Sequence, residues 1–257
     1  MSEEPPLPSQ EHRFGDAPLL NEAALYWRRE LVFTVLSALF IGSLAMLNII
    51  GVTKFLDFSF RIPGTDWIVP MPLAVGVLPY PVTFLCTDFI SELYGRRRAN
   101  LLVLVGFIIN LWVALVLWLG GVLPGAPSPT FDGLQRLAFS AITASMVAYV
   151  VAQTIDVQLF HFWKRVTKGR HLWLRNNGST LISQAVDTVA VILITHFLAG
   201  ALPLEAGIPL WSQLWSFIVA GYVFKLLVGL VDTIPFYFGV AWLSRYLRLP
   251  PPGEMSA

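Results

Sequence analysis

Apolar residues run in six long stretches along this chain, at about 31–53, 70–93, 101–123, 137–162, 179–202 and 213–243, divided by short polar or Pro/Gly-rich segments. Each stretch can cross a hydrocarbon core of about 30 Å as a helix. The pattern predicts an all-α membrane protein, a six-transmembrane-helix bundle. The second stretch is the least regular, because Pro70, Pro72, Pro79 and Pro81 fall in its first half, where each removes a backbone donor and disfavours helix just before it. Upstream, LDFSFRI and WIVPMPL flank Pro63-Gly64-Thr65-Asp66, which is turn chemistry. An irregular, Pro-rich, hairpin-like segment is therefore expected before the second helix.

Residues 1–30 are rich in Pro and acids and lack the apolar core of a signal peptide. They read as a mobile cytoplasmic tail, with a short interfacial helix where Asp16 caps Pro18 to Glu30. Residues 31–246 form the membrane domain and 247–257 a short cytoplasmic C-terminal tail. Composition agrees: 56% of residues are hydrophobic and 13% charged, with mean hydropathy +0.67, against about 25% charged in soluble domains. Cys86 is the only cysteine, which excludes an internal disulfide and a multi-cysteine metal site. His12, His161, His171 and His196 are scattered without ligand spacing, so neither a metal nor a cofactor is expected. No Walker A, G-x-G-D, H-E-x-x-H or G-x-S-x-G pattern occurs, which speaks against an ATPase or an intramembrane enzyme.

Charge sets the orientation. Arg13, Arg28 and Arg29 precede the first stretch; Arg96, Arg97 and Arg98 follow the second; Lys164, Arg165, Lys168, Arg170 and Arg175 follow the fourth; Arg245 and Arg248 follow the sixth. The opposite loops hold only Lys54, Arg61 and Arg136. The positive-inside rule then puts both termini and the 2–3 and 4–5 loops in the cytoplasm. Topology and the lipid bilayer account for the basic runs without a nucleic-acid partner.

Against this apolar background, Asp88, Glu92, Asp156, Asp187 and Asp232 interrupt the hydrophobic runs, with Gln153, Gln184 and Lys225. An ionisable group at bilayer depth costs roughly 2.5–3.5 kcal/mol, so such residues face one another or a polar cavity. At 1.5 Å per residue, Gln153 and Asp156 lie roughly 10–16 Å above the cytoplasmic edge, Gln184 and Asp187 about 8–12 Å, and Asp88 about 12 Å. Gln153/Asp156 and Gln184/Asp187 are spaced i,i+3 and Asp88/Glu92 i,i+4, so each pair shares a helix face. Asn48 and Lys54 sit in the outer part of the first stretch. Glu92 is expected to pair with Arg96–Arg98, and Lys54 to reach the outer headgroups. Lys225 is more than 10 Å from Asp232 along one helix, so its partner must come from another helix or a ligand.

In context these residues resemble the queuosine precursor transporter family, also called the vitamin uptake transporter family. The resemblance is carried by LNIIGVTK with Asn48 and Lys54; by YPVTFLCTDFISELYGRRRAN with Tyr80, Asp88 and Glu92; by AYVVAQTIDVQLFHFWKRVT with Gln153 and Asp156; by LWLRNNGSTLISQAVDT with Arg175, Asn177, Thr180, Gln184 and Asp187; and by FKLLVGLVDTIPFYFGV with Lys225 and Asp232. Thr233-Ile234-Pro235 departs from the Thr-Pro expected there. The resemblance implies inner-membrane uptake of a 7-deazaguanine, such as 7-cyano-7-deazaguanine, its aminomethyl form or queuine, for tRNA modification. It implies binding through the Asp, Gln, Asn48 and Lys225 set, stacking on Tyr80 or Phe84, and gating or structural roles for Lys54, Glu92, Arg175, Asn177 and Thr180. A homodimer is compatible with it. The alternative is a substrate-capture subunit of an energy-coupling-factor importer, which needs a separate ATPase.

The topology has a direct check. Single cysteines near Arg97 and Lys168, in a background with Cys86 replaced, should resist an impermeant thiol reagent added to intact cells; ready labelling from outside would reverse the orientation.

Overall fold

The computed structural model describes residues 22–64, 66–167 and 172–249. Residues 1–21 with the Asp16 cap, Thr65, residues 168–171 and residues 250–257 lie outside the described residues, while residues 22–30 of the expected tail form the first turns of α1. Among the described residues six α-helices follow one another: α1 (Glu22–Ile50), α2 (Tyr80–Tyr94), α3 (Arg96–Val122), α4 (Pro129–Val166), α5 (Leu172–Ile194) and α6 (Leu210–Tyr246). Five of them are long and apolar enough to cross a membrane. The exception is α2, whose 15 residues span about 22 Å. The second apolar stretch is thus only partly helical, because its prolines divert the first half into extended and 3₁₀ backbone.

The expected hairpin fills that gap. Strands β1 (Phe55–Asp57), β2 (Phe60–Arg61), β3 (Ile68–Val69) and β4 (Pro72–Ala74) pair antiparallel as β1 with β4 and β2 with β3. Gly64 adopts φ +83° in the connecting turn, a conformation that only glycine accepts without strain. Ser59 breaks the ladder: its backbone N–H donates to Asp57 Oδ1 at 2.9 Å while its hydroxyl accepts from the Met71 N–H at 3.0 Å. Hydrogen bonds from the Ser59 hydroxyl and N–H hold the Asp57 carboxyl below the ordinary carboxylate range.

The outer faces of the helices are apolar and open. On α3, Leu101, Leu104, Ile108, Leu111 and Leu115 are all exposed at helical spacing. So large an apolar surface suits lipid rather than water. Inside, Phe40, Cys86, Ile90, Ala99 and Leu102 join α1, α2 and α3, and Leu93, Leu243 and Leu247 join α2 to α6. Helix α4 buries a stripe of Ala138, Ala141, Ala144, Ala148 and Ala152, whose small side chains let neighbouring backbones approach.

At one end of the bundle the basic residues gather. Arg29 donates to the Leu247 carbonyl at 3.1 and 3.3 Å, Tyr94 Oη donates to the Arg29 carbonyl at 2.8 Å, and Arg98 pairs with Glu30 at 3.6 Å. The start of α1, the end of α2, the start of α3 and the end of α6 therefore share one face. Here Arg29 satisfies carbonyls that the end of α6 leaves unpaired.

The hairpin is anchored to α1 by two glycines. Gly76 N–H donates to the Gly51 carbonyl at 3.0 Å, and a Cβ on Gly76 would stand 2.8 Å from Gly51 Cα. Gly76→Ala should therefore lower the unfolding midpoint in detergent, by an overpacking cost of about 1–3 kcal/mol. Gly42→Ala, on an exposed face of α1 with nothing near its Cβ, should cause no loss.

Candidate functional site

A cavity of about 650 Å³ lies among the helices, within the range of small-molecule sites. All six helices and the hairpin base, through Phe55 and Pro72–Ala74, contribute to its wall. Most of the lining is apolar, and the alanines at 141, 144 and 152 on α4 leave the space unfilled. On α2, Tyr80, Thr83, Phe84 and Thr87 line it, the i, i+3, i+4, i+7 stripe of one helix face.

Two polar groups interrupt this lining. The first joins α2, α5 and α6: Lys225 Nζ donates to Asp187 Oδ2, with the two side chains 13% and 27% exposed. Lys225 Nζ also lies 5.5 Å from the centre of the Tyr80 ring, where the π-face supplements the carboxylate. Tyr80 meets Phe84 edge to face at 4.5 Å between ring centres. The pair can form because Gly221, one turn from Lys225 on α6, brings its backbone against Thr188, where an added Cβ would sit 3.2 Å from the Thr188 methyl. Thr188 itself donates back to the Gln184 carbonyl at 2.8 Å. Its hydroxyl is thereby satisfied within α5, while Gln184 and Asp187 of the same helix also line the cavity.

The second group joins α1, α3 and α4. Ser145 Oγ donates to Asn48 Oδ1 at 2.8 Å, and Asn48 Nδ2 donates to Asn110 Oδ1 at 2.9 Å. Asn110 and Ser145 escaped the sequence reading, although a lone Asn within the 101–123 run was a legible signal.

Of the residues singled out from sequence, Asn48, Tyr80, Phe84, Gln184, Asp187 and Lys225 line the cavity. Asp88 and Asp232 do not: Asp88 is turned about 100° from Thr87 and exposed, while Asp232 is partly buried, its Oδ2 without a hydrogen bond among the described residues. They stand beside the contact of Phe89 with Phe236, 5.5 Å between ring centres. Lys54 is exposed near the hairpin base. Of the arginine run expected to pair with Glu92, Arg98 turns to Glu30, and the side chain of Arg96, one turn from Glu92, lies outside the described residues. The side chains of Gln153, Asp156, Arg175, Asn177 and Thr180 lie outside the described residues.

Comparison with known proteins places the chain beside membrane transporters. A family profile described as "Putative vitamin uptake transporter" matches residues 74–239. The "Probable queuosine precursor transporter" of Bacillus subtilis (strain 168) is 30% identical over 185 residues, 68% of this chain and 74% of the relative. The "Queuosine precursor transporter" of Escherichia coli (strain K12) is 26% identical over 212 residues, 76% of this chain and 88% of the relative. No solved structure matches.

The ion pair yields a stability test. Lys225→Met alone strands a partly buried carboxylate and should cost about 1–3 kcal/mol in detergent unfolding. Adding Asp187→Leu removes the stranded charge and should recover most of that loss.

Proposed function

The chain belongs to the queuosine precursor transporter family, also called the vitamin uptake transporter family, and we propose that it imports a 7-deazaguanine for tRNA modification across a bacterial inner membrane. 7-Cyano-7-deazaguanine, its aminomethyl form and queuine are the candidates. The observation that carries this reading is the Lys225–Asp187 pair inside an apolar cavity. A guanine-like edge presents a carbonyl acceptor beside N1–H and amine donors. An ammonium beside a carboxylate is its complement, with Lys225 donating to the carbonyl and Asp187 accepting from the two donors. Tyr80 and Phe84 supply aromatic surface for the flat ring.

The empty carrier neutralises its own charges, so the cavity can move between sides without an unpaired ion in hydrocarbon. Substrate then replaces the internal contact with two external ones. We count α2 and the irregular segment before it as a sixth crossing. Such backbone is tolerated at membrane depth where it lines a cavity, and Pro72–Ala74, Gly76 and Val77 line this one. The basic face formed by the ends of α1, α2, α3 and α6 is the cytoplasmic one in this reading, with both termini on that side.

The test is uptake of labelled 7-deazaguanines by the protein alone in liposomes, paired with binding to Asp187→Asn. The amide keeps the shape but loses the charged acceptor, and affinity should fall about ten- to a hundredfold. Wild-type affinity in that variant would sink the site. Binding without uptake would instead make the chain a capture subunit that needs a separate ATPase.

A further inference from the structure

The Asn48, Asn110 and Ser145 group is unfinished as a hydrogen-bond chain. Ser145 donates to Asn48 and Asn48 to Asn110, so donors point in one direction and accumulate at the end. Asn110 Oδ1 is occupied, while its Nδ2 donates to no protein group among the described residues. Asn48 and Asn110 are 1% and 6% exposed, and both line the cavity. Polar glue between helices normally satisfies itself. This chain ends with amide hydrogens to spare, at the wall of a cavity.

The charge balance there is one-sided. Asp187 is the one acidic residue among the described residues lining the cavity, and Lys225 already engages it from α6. Among the described side chains, the wall made by α1, α3 and α4 offers neutral donors and no carboxylate. An ammonium brought to it would lose its water without gaining a counter-charge. A nitrile or carbonyl would find hydrogens already oriented, because the Asn48 contact holds the Asn110 amide in place.

We propose that Asn110 is a specificity-determining residue of the cavity, donating from Nδ2 to a neutral acceptor on the ring of the base farthest from Asp187, and so selecting a nitrile over an ammonium substituent. This rests on the deazaguanine reading, in which Asp187 and Lys225 hold the six-membered ring's polar edge. The five-membered ring and its substituent then face the other three helices. Asn48 and Ser145 are positioning residues that orient the Asn110 amide.

Calorimetry on the purified full-length protein, with 7-cyano-7-deazaguanine and 7-aminomethyl-7-deazaguanine as probes, tests it. Wild type should bind the cyano compound more tightly. Asn110→Leu should weaken cyano binding about five- to tenfold more than aminomethyl binding, the loss of one hydrogen bond, so that the cyano-to-aminomethyl ratio falls by that factor. Asn110→Asp keeps the shape and supplies the missing charge, so it should shift the preference toward the aminomethyl compound. A cyano-to-aminomethyl ratio equal to wild type in both variants overturns the assignment while leaving the transport reading intact. Wild-type binding to neither probe overturns both. If Asn110→Leu does not fold, the isosteric Asn110→Asp decides alone: an unshifted preference refutes the proposal.

Discussion

A lysine carried into the middle of an apolar helix needs an opposite charge within reach, and the interior is arranged so that Lys225 finds one in Asp187. Sequence neighbours cannot provide it, since Asp232 lies two turns away on the same helix. The partner must arrive from α5, and it arrives because Gly221 lets that helix come close at the level of Thr188. Tyr80 then reaches over the ammonium from α2. Three helices are thus tied to one point by electrostatics, and the apolar contacts around them fit that constraint.

The remaining helices answer the same constraint with neutral groups. Asn48 at 1% exposure would be costly alone, and Ser145 and Asn110 complete it from α4 and α3. Alanines at 141, 144 and 152 on α4 and glycines at 51, 76 and 221 share the cavity wall with the larger apolar side chains. A bundle that filled this space with Leu or Phe would be better packed and would have nowhere to hold a ligand. The cavity is therefore a consequence of residue size on α4 as much as of polarity on α5 and α6.

Much of this was legible in the sequence. Hydropathy marked every helix, Pro63-Gly64 marked the hairpin, and the isolation of Lys225 demanded a partner from another helix or a ligand. What stayed hidden depends on rotation and depth. Asp88 and Asp187 look alike as carboxylates in apolar runs, yet a turn of about 100° past Thr87 takes Asp88 off the cavity wall. Arg98 turns to Glu30, a partner on α1 that spacing along α2 and α3 could not reveal. Asn110 was passed over because one amide in an apolar run carries no spacing pattern; only the fold places it beside Asn48. The length of α2 was likewise set by its prolines, whose number was plain and whose effect on a spanning helix was underweighted.

The hydrogen bonds from Arg29 to the Leu247 carbonyl join residues 218 positions apart. During synthesis the first helix is exposed to lipid long before α6 exists, and its guanidinium must wait at the membrane surface for a partner made last. Asn48 waits in the same way for α3 and α4. The first helix thus finds its apolar packing early, on α2 and α3, while its Arg29 contact forms only once the end of α6 is made. A chain halted after α5 would keep α1 packed on α2 and α3 but leave the Arg29 guanidinium without its Leu247 acceptor.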